Sequence, residues 1–425
     1  MTGLLLVLAL SVLLFLAVAA ELAARWWMRH RSAYYVFPPG LRLHLRPDPE
    51  VFPQLEPSVR FEVNSEGERG DEVPRSSSGT RLYRVLVVGG SQPEGYLLDQ
   101  HTSWPGALQR LLQTPDHLQR LGACRVHVGS IARSGVGSQA LDLILERVLP
   151  RYARLQAIII LVGASDILRW LEQGAPPSPP APARTSEIFM CHPEGPFGWK
   201  PSALALVELL LRVRRRWRRP VEVHERAGRW IGKARAMRAC AKEIRNTLPA
   251  SAPMLDHFEV HFRKLLQKAR AHADRVLVVR QPWFDKEYTP EEAAHMWHGG
   301  VGQAWREEVT TYYSCQVLSG LMGLLDARAA RVAKELDVEQ LDLTPILQRS
   351  LETYYDSFHA TPAGAKVVAG AVGATLLRRP TETAMTTAMS DLLSESVELA
   401  DHARRMTAPG VSRPDIVLTT SRGCS

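Results

Sequence analysis

The stretch Val85-Leu86-Val87-Val88-Gly89-Gly90-Ser91-Gln92-Pro93-Glu94-Gly95-Tyr96 decides how this chain folds. Residues 84–88 read as a strand buried on both faces, since the apolar run is continuous rather than alternating. Two glycines then turn the backbone sharply with no Cβ in the way. Ser91 follows at the amino end of a helix, where a hydroxyl stands at the carboxyl edge of a sheet. Taken alone, Gly-Gly-Ser is also an ordinary loop in which serine caps the next helix.

Four further runs, 125–128, 157–162, 275–279 and 338–343, read as strands and alternate with helix-length stretches. Such alternation predicts an α/β fold with a parallel sheet and helices on both faces. Two strands lead into polar turns, Ala132-Arg133-Ser134-Gly135-Val136-Gly137-Ser138 and Gly163-Ala164-Ser165-Asp166. Open parallel sheets place their binding crevice at those carboxyl ends. Late in the chain, Tyr355-Asp356-Ser357-Phe358-His359 sets an acid three residues before a histidine. A serine hydroxyl is a poor nucleophile until a base takes its proton, and the base needs a carboxylate to fix its tautomer. His359 and Asp356 are the candidates. Each residue also has a structural reading: His359 as a helix cap, Asp356 as an acceptor of backbone N–H groups, Ser165-Asp166 as an N-cap.

In order, strand-GGS, strand-loop-Gly135, strand-GASD and DxxH resemble the conserved blocks of the SGNH (GDSL-type) hydrolase superfamily over roughly residues 81–378. The resemblance implies a flavodoxin-like three-layer α/β/α sandwich with a five-stranded parallel sheet of order 2-1-3-4-5. It also implies Ser91 as nucleophile, Asp356 and His359 as its partners, and an oxyanion hole built from Ser91 and Gly135. Two positions depart from the pattern. Gly90 replaces the aspartate of GDS, at a turn position expected to be tolerant. Ser165 stands where the family has its oxyanion-stabilising asparagine, and a hydroxyl is a shorter and less fixed donor than an amide. Losing one such donor typically costs about a hundredfold to a thousandfold in turnover. The segment Phe61-Glu62-Val63-Asn64-Ser65-Glu66-Gly67-Glu68-Arg69-Gly70 also resembles membrane-anchored relatives, and its turn residues suggest packing across the domain.

The amino end is apolar from Gly3 to Ala20 apart from Ser11, long enough with the residues beyond Glu21 to span a bilayer. Trp26 and Trp27 follow as interfacial anchors beside Arg25, Arg29 and Arg31. A single membrane anchor is expected over 1–24; a cleaved signal peptide competes, supported by Ala17-Val18-Ala19 and opposed by an n-region without lysine or arginine. The arginines after the helix favour a cytoplasmic domain by the positive-inside rule, whereas the resemblance to bacterial envelope proteins favours the extracytoplasmic side of the cytoplasmic membrane.

The 425 residues, 45% hydrophobic and 23% charged, are ordinary for a folded protein and exclude a disordered or fibrous chain. The expected organisation is an approach segment at 25–80, a hydrolase-type domain at 81–378 with an insertion at about 171–255, and a tail at 379–425, helix-capable over 389–406 and otherwise partly disordered. Residues 75–80 read as loop. The insertion opens with a proline-rich run at 174–182 that cannot be helix. It continues with ALALVELLLRVRRRWRR at 203–219, which reads either as a packed helix with a solvated basic end or as an attachment to an anionic membrane surface or acidic polymer. The net charge of +8 can be assigned largely to that segment. Nucleic acid is not an expected partner, for no reader motif appears. The five cysteines lack CxxC spacing and zinc-like clustering; Cys124 is expected to be packed and Cys424 exposed. His257 and His261 lie four apart but lack a third ligand, and read as surface or interhelical residues; no metal or organic cofactor is expected. After the fourth strand, Trp283, His295, Trp297 and His298 form a candidate wall or lid, with Trp283, Trp297 and His298 expected to line the substrate site. The expected activity is hydrolysis of an ester, an acyl group such as acetyl on an envelope glycan or lipid, through an acyl-enzyme. An acyltransferase with the same triad and a degenerate domain that binds an envelope polymer are the alternatives.

Overall fold

The computed structural model describes residues 2–30, 34–74, 81–179, 181–192, 204–217, 220–223 and 226–378. The expected loop at 75–80, the arginines at 218 and 219, and the tail with its helix-capable stretch and Cys424 lie outside them.

Five strands, β1 (Leu82–Gly89), β2 (Arg125–Ser130), β3 (Leu155–Leu161), β4 (Ala273–Val279) and β5 (Glu339–Leu341), form one sheet. Its order is β5-β4-β3-β1-β2 with every neighbouring pair parallel, the expected 2-1-3-4-5 arrangement. Val85 to Val88 and Ala157 to Leu161 are at most 1% exposed, which is why the central strands carry unbroken apolar runs. Edge strand β5 is shorter than the apolar pattern predicts and is only partly buried.

The connections are helical: α3 (Trp104–Leu112) joins β1 to β2, α4 (Ser138–Val148) joins β2 to β3, α8 (Ala252–His272) precedes β4, α9 (Cys315–Glu335) precedes β5, and α10 (Pro362–Leu377) follows the sheet. Right-handed crossovers place α3 on one face and α4, α8 and α9 on the other. α10 shares the α3 face, where a Cβ on Gly373 would come within 2.6 Å of Leu111. On the opposite face His261 of α8 meets Asp142 of α4 at 3.1 Å, so this histidine is an interhelical contact. These elements, α10 as far as Thr375, lie in a compact unit, Met1–Thr375; of a second unit, Leu376–Ser425, only residues 376–378 are described.

The approach segment packs into the domain. Arg42–Leu45 and Val59–Glu62 pair antiparallel, and Val221–Glu222 of the insertion adds parallel to the first. Arg69 exchanges two backbone hydrogen bonds with Ser130 at the end of β2, 2.8 and 2.9 Å. Beside it the buried Glu68 accepts from His127 at 2.8 Å, Arg84 at 2.9 Å and Asn64 at 3.0 Å. Burial would raise the Glu68 pKa, but His127 and Arg84 outweigh it and hold the carboxyl at about 2. Cys124 is a correction: it is exposed, because it sits just before β2, outside the core, with its N–H on the Arg81 carbonyl.

Helix α1 (Thr2–His30) contains a span, Gly3–Trp27, long and apolar enough to cross a membrane; its first two thirds are exposed, whereas Ala24 near its end is buried against Cys191 and Ala205. Glu21 near its end accepts from the backbone N–H groups of Ala205 and Leu206 at 2.9 and 3.0 Å, so it caps the helix Ala205–Trp217 of the insertion.

Candidate active site

β1 delivers its serine through a turn that steric contacts dictate. A Cβ on Gly89 would lie 2.2 Å from the Leu161 carbonyl oxygen, closer than any side chain tolerates. Gly90 is different: its φ is −87° and a Cβ there would meet only ordinary contacts, so the departure from GDS at this position is sterically neutral. Ser91 opens the short helix α2 (Ser91–Glu94), which Gly95 ends in the left-handed conformation at φ 57°.

The loop before α10 brings the base to it across 268 residues of sequence. His359 Nε2 is 2.7 Å from Ser91 Oγ, and His359 Nδ1 is 2.9 and 2.8 Å from the two oxygens of Asp356. Asp356 is wholly buried and also accepts the N–H groups of Phe358 and His359 at 3.0 and 2.9 Å, so the three-residue spacing lets one carboxylate hold its own loop and the imidazole together. Tyr355 stacks on the imidazole with ring centroids 5.3 Å apart and planes within 6°, and its other neighbour is Phe52 of the approach segment. Burial would lift the Asp356 pKa, but the facing His359 and His298 and its hydrogen bonds hold it far below the usual carboxylate range. Burial alone would lower His359, yet the Asp356 carboxylate overcomes this and raises it.

Donors adjoin the serine. Gly135 adopts φ 71°, and the N–H groups of Ser91 and Gly135 donate to no protein acceptor among the described residues. Glu94 holds this loop to α2 by accepting from the N–H of Ser134 at 2.8 Å and from its hydroxyl. Burial raises the Glu94 pKa against the pull of Ser134 and Arg69. Ser165 lies in α5 (Ala164–Glu172), its hydroxyl 3.4 Å from the position of a Gly90 Cβ and bonded to no protein group among the described residues. Asp166 turns away and accepts from Ser138 N at 2.9 Å and Oγ at 2.7 Å; burial pushes its pKa up to about 6.

Ser91, Gly135, Ser165 and His359 border one cavity of about 400 Å³. Its apolar walls are Tyr96, Leu97, Leu168, Ile231, Trp230, Trp297 and Trp305, with Arg169 and Glu172 as charged lining groups. Burial raises Glu172 to about 7 against the nearby Arg169. Trp297 and His298 line it, and burial pushes His298 down to about 3 against the pull of Asp356. Trp283 does not. Its indole donates to Ser319 of α9 at 3.2 Å and lies in a separate pocket with Tyr288 and Met322, so the expectation of a substrate-lining role is corrected.

Trp230, Ile231 and Gly228 escape sequence reasoning, because only the return of the insertion over the sheet edge brings helix α7 (Arg229–Ala239) to the crevice. Arg235 of α7 likewise gives no local signal, yet its guanidinium bonds the carbonyls of Val51, His295 and Tyr355 at 2.5, 3.1 and 2.9 Å, tying three segments together behind the triad. His298, Asp356 and His359 each offer a ligand atom within 4.8 Å of the others. Both His359 nitrogens, however, are already committed to Asp356 and Ser91, so a metal here would compete with the serine–histidine contact.

No family model matches the chain, and no curated protein sequence is significantly similar to it. Among solved structures the chain is similar to an acetylxylan esterase from Geobacillus stearothermophilus (12% identity, TM-score 0.36, covering 71% of this chain and 97% of that one). It is also similar to an α/β hydrolase from the metagenome of Lake Arreo (12%, 0.36, 71% and 97%) and to a lipolytic G-D-S-L family protein from Veillonella parvula (10%, 0.36, 68% and 96%). Likenesses this remote assign neither residue roles nor a substrate.

Proposed function

We propose that this chain is a serine ester hydrolase that works through an acyl-enzyme. The observation that carries the reading is the unbroken chain Ser91–His359–Asp356 opening on a cavity also bordered by Gly135, with the N–H groups of Ser91 and Gly135 unengaged among the described residues. Ser91 Oγ attacks the ester carbonyl while His359 Nε2 takes its proton. The oxyanion draws on the N–H groups of Ser91 and Gly135, with the Ser165 hydroxyl as a third donor. Protonated His359, stabilised by Asp356, returns the proton to the leaving alcohol; water, activated by the same imidazole, then releases the acid.

The cavity far exceeds an acetyl group, so it accommodates part of the alcohol as well, and its tryptophan-rich wall suits either a sugar ring or a lipid chain. An acylated glycan or lipid of the cell envelope is the substrate class we infer. Support for a membrane setting comes from α1 and from Trp26 and Trp27, exposed at its end. The capped helix Ala205–Trp217 exposes Leu210 and Val213 near that end, consistent with contact to an anionic bilayer surface. We assign the domain to the extracytoplasmic side of the cytoplasmic membrane.

Hydrolysis of a p-nitrophenyl acyl series, acetyl to octanoyl, tests the reading. Turnover lost in Ser91→Ala supports it. Turnover unchanged in Ser91→Ala refutes it, and a folded wild type without turnover points to a binding domain or to a transferase that requires its acceptor.

A further inference from the structure

We propose that Trp297 is a positioning residue for the triad acid, joining the aromatic wall of the cavity to Asp356 through its indole N–H. The proposal rests on the esterase reading above.

The carboxylate divides its acceptor sites unevenly. Oδ1 accepts the N–H groups of Phe358 and His359, which belong to its own loop, and shares His359 Nδ1 with Oδ2 at 2.9 Å. Oδ2 is bonded to His359 Nδ1 and to Trp297 Nε1 at 3.0 Å. Among the described residues Trp297 is the one side chain besides His359 that donates to Asp356. A carboxylate pinned on both oxygens cannot rotate about its last bond, so it presents a fixed lone pair to the imidazole.

Trp297 is itself held. Arg235 bonds the carbonyl of His295, Arg238 bonds that of His298, and Gly299 accepts from Tyr313 N at 2.8 Å, so the loop is fixed on both sides of the indole. Its ring packs edge-on against Trp230 with centroids 5.0 Å apart, and Trp230 in turn meets Trp305 at 6.3 Å. Trp230 and Trp305 are partly exposed at the cavity wall. A ligand pressing on that wall therefore reaches the triad acid through two packed indoles.

The consequence is measurable in protonation. An N–H donor to Oδ2 withdraws charge from the carboxylate and weakens its hold on the imidazolium. Removing the donor while keeping an aromatic ring, Trp297→Phe, raises the proton affinity of His359. The other titratable and charged groups facing this pair are His298, His295, Arg235, Tyr288, Tyr355 and Glu94; of these His298 lies against the Trp297 ring, centroids 3.7 Å apart, and phenylalanine keeps an aromatic neighbour there.

The experiment is the rate of Ser91 phosphonylation by a fluorophosphonate probe, measured on the full chain in detergent from about pH 5 to about pH 9, because labelling needs neutral His359 and no identified substrate. The expected result for Trp297→Phe is an acid limb displaced upward by about half a pH unit or more and a plateau about tenfold lower. Trp230→Phe, which changes the wall without touching Asp356, is expected to leave the limb where it is. A Trp297→Phe limb coincident with wild type overturns the proposal while leaving the triad intact. Labelling of Ser91→Ala at the wild-type rate overturns the triad and this role with it. Should Trp297→Phe fail to fold, the indole N–H resonances of wild type provide the test: one must titrate with the midpoint of the labelling profile, and none doing so refutes the coupling.

Discussion

Replacing Asp356 by asparagine perturbs one atom of a fully buried group, and the consequence follows from its hydrogen bonds. Four donors converge on the carboxylate: the N–H groups of Phe358 and His359 on Oδ1, Trp297 Nε1 on Oδ2, and His359 Nδ1 on both. An asparagine must put its NH2 group at one of the two oxygen positions. At Oδ1 it would face two backbone donors, so it takes the Oδ2 position, opposite the indole and the imidazole. The imidazole then relieves the clash by moving its proton to Nε2. In that tautomer the nitrogen facing Ser91 is a donor and cannot accept the serine proton. The expected loss in turnover is about 10⁴-fold, equivalent to about 5.5 kcal/mol in barrier height. The assay is p-nitrophenyl acetate hydrolysis with circular dichroism to verify folding. A folded Asp356→Asn variant within tenfold of wild type at neutral pH would refute the assignment of Asp356 as the orienting acid.

Activity should rise with pH through a single ionisation displaced above the ordinary histidine value of about 6.5, since Asp356 raises His359 and only its neutral form is a base; kcat/KM against pH checks this. The stability linkage has the opposite sense: the stabilisation from His359 is complete below about 6.5 and is lost as pH rises through its folded value. Ser165→Asn is expected to raise kcat about tenfold or more by supplying a better aligned amide donor, while unchanged or lower kcat would show that the hole does not extend to this position. Gly89→Ala forces a Cβ into the Leu161 carbonyl and should cost at least about 2 kcal/mol in urea denaturation. Glu68→Gln should cost about 3–5 kcal/mol by leaving His127 and Arg84 without their buried counter-charge. Because Glu68 is depressed to about 2, its contribution is present above the unfolded value near 4.3 and is lost as pH falls through the folded one, so the Gln variant should converge on wild type in strong acid.

Some of this was legible because the chemistry is local. Gly89 ends the strand that presents Ser91, and the three-residue spacing of Asp356 and His359 is itself the geometry of their hydrogen bond. Continuous apolar runs at 85–88 and 157–161 announced strands covered on both faces. Trp283 misled for the converse reason. It follows the correct strand, but following a strand does not say which way a side chain leaves it, and this indole leaves toward Ser319. Cys124 was misjudged similarly, since proximity to a strand is no measure of burial. Trp230 and Arg235 carried no signal at all, being placed by the return path of the insertion.

Sequence by itself therefore determined the alternation of strands and helices, the strand order implied by its resemblance, the apolar amino-terminal helix, and the serine, aspartate and histidine at the ends of their elements. These rest on periodicity and on contacts between near neighbours, which short stretches of residues specify. Tertiary structure alone decided that Trp297 reaches Asp356, that α7 walls the cavity, and that the Glu68–His127–Arg84 cluster lies beneath the sheet edge. Those contacts join residues about 16 to about 60 positions apart or more, and their geometry depends on how whole elements pack, a sum of many weak interactions that no single stretch encodes.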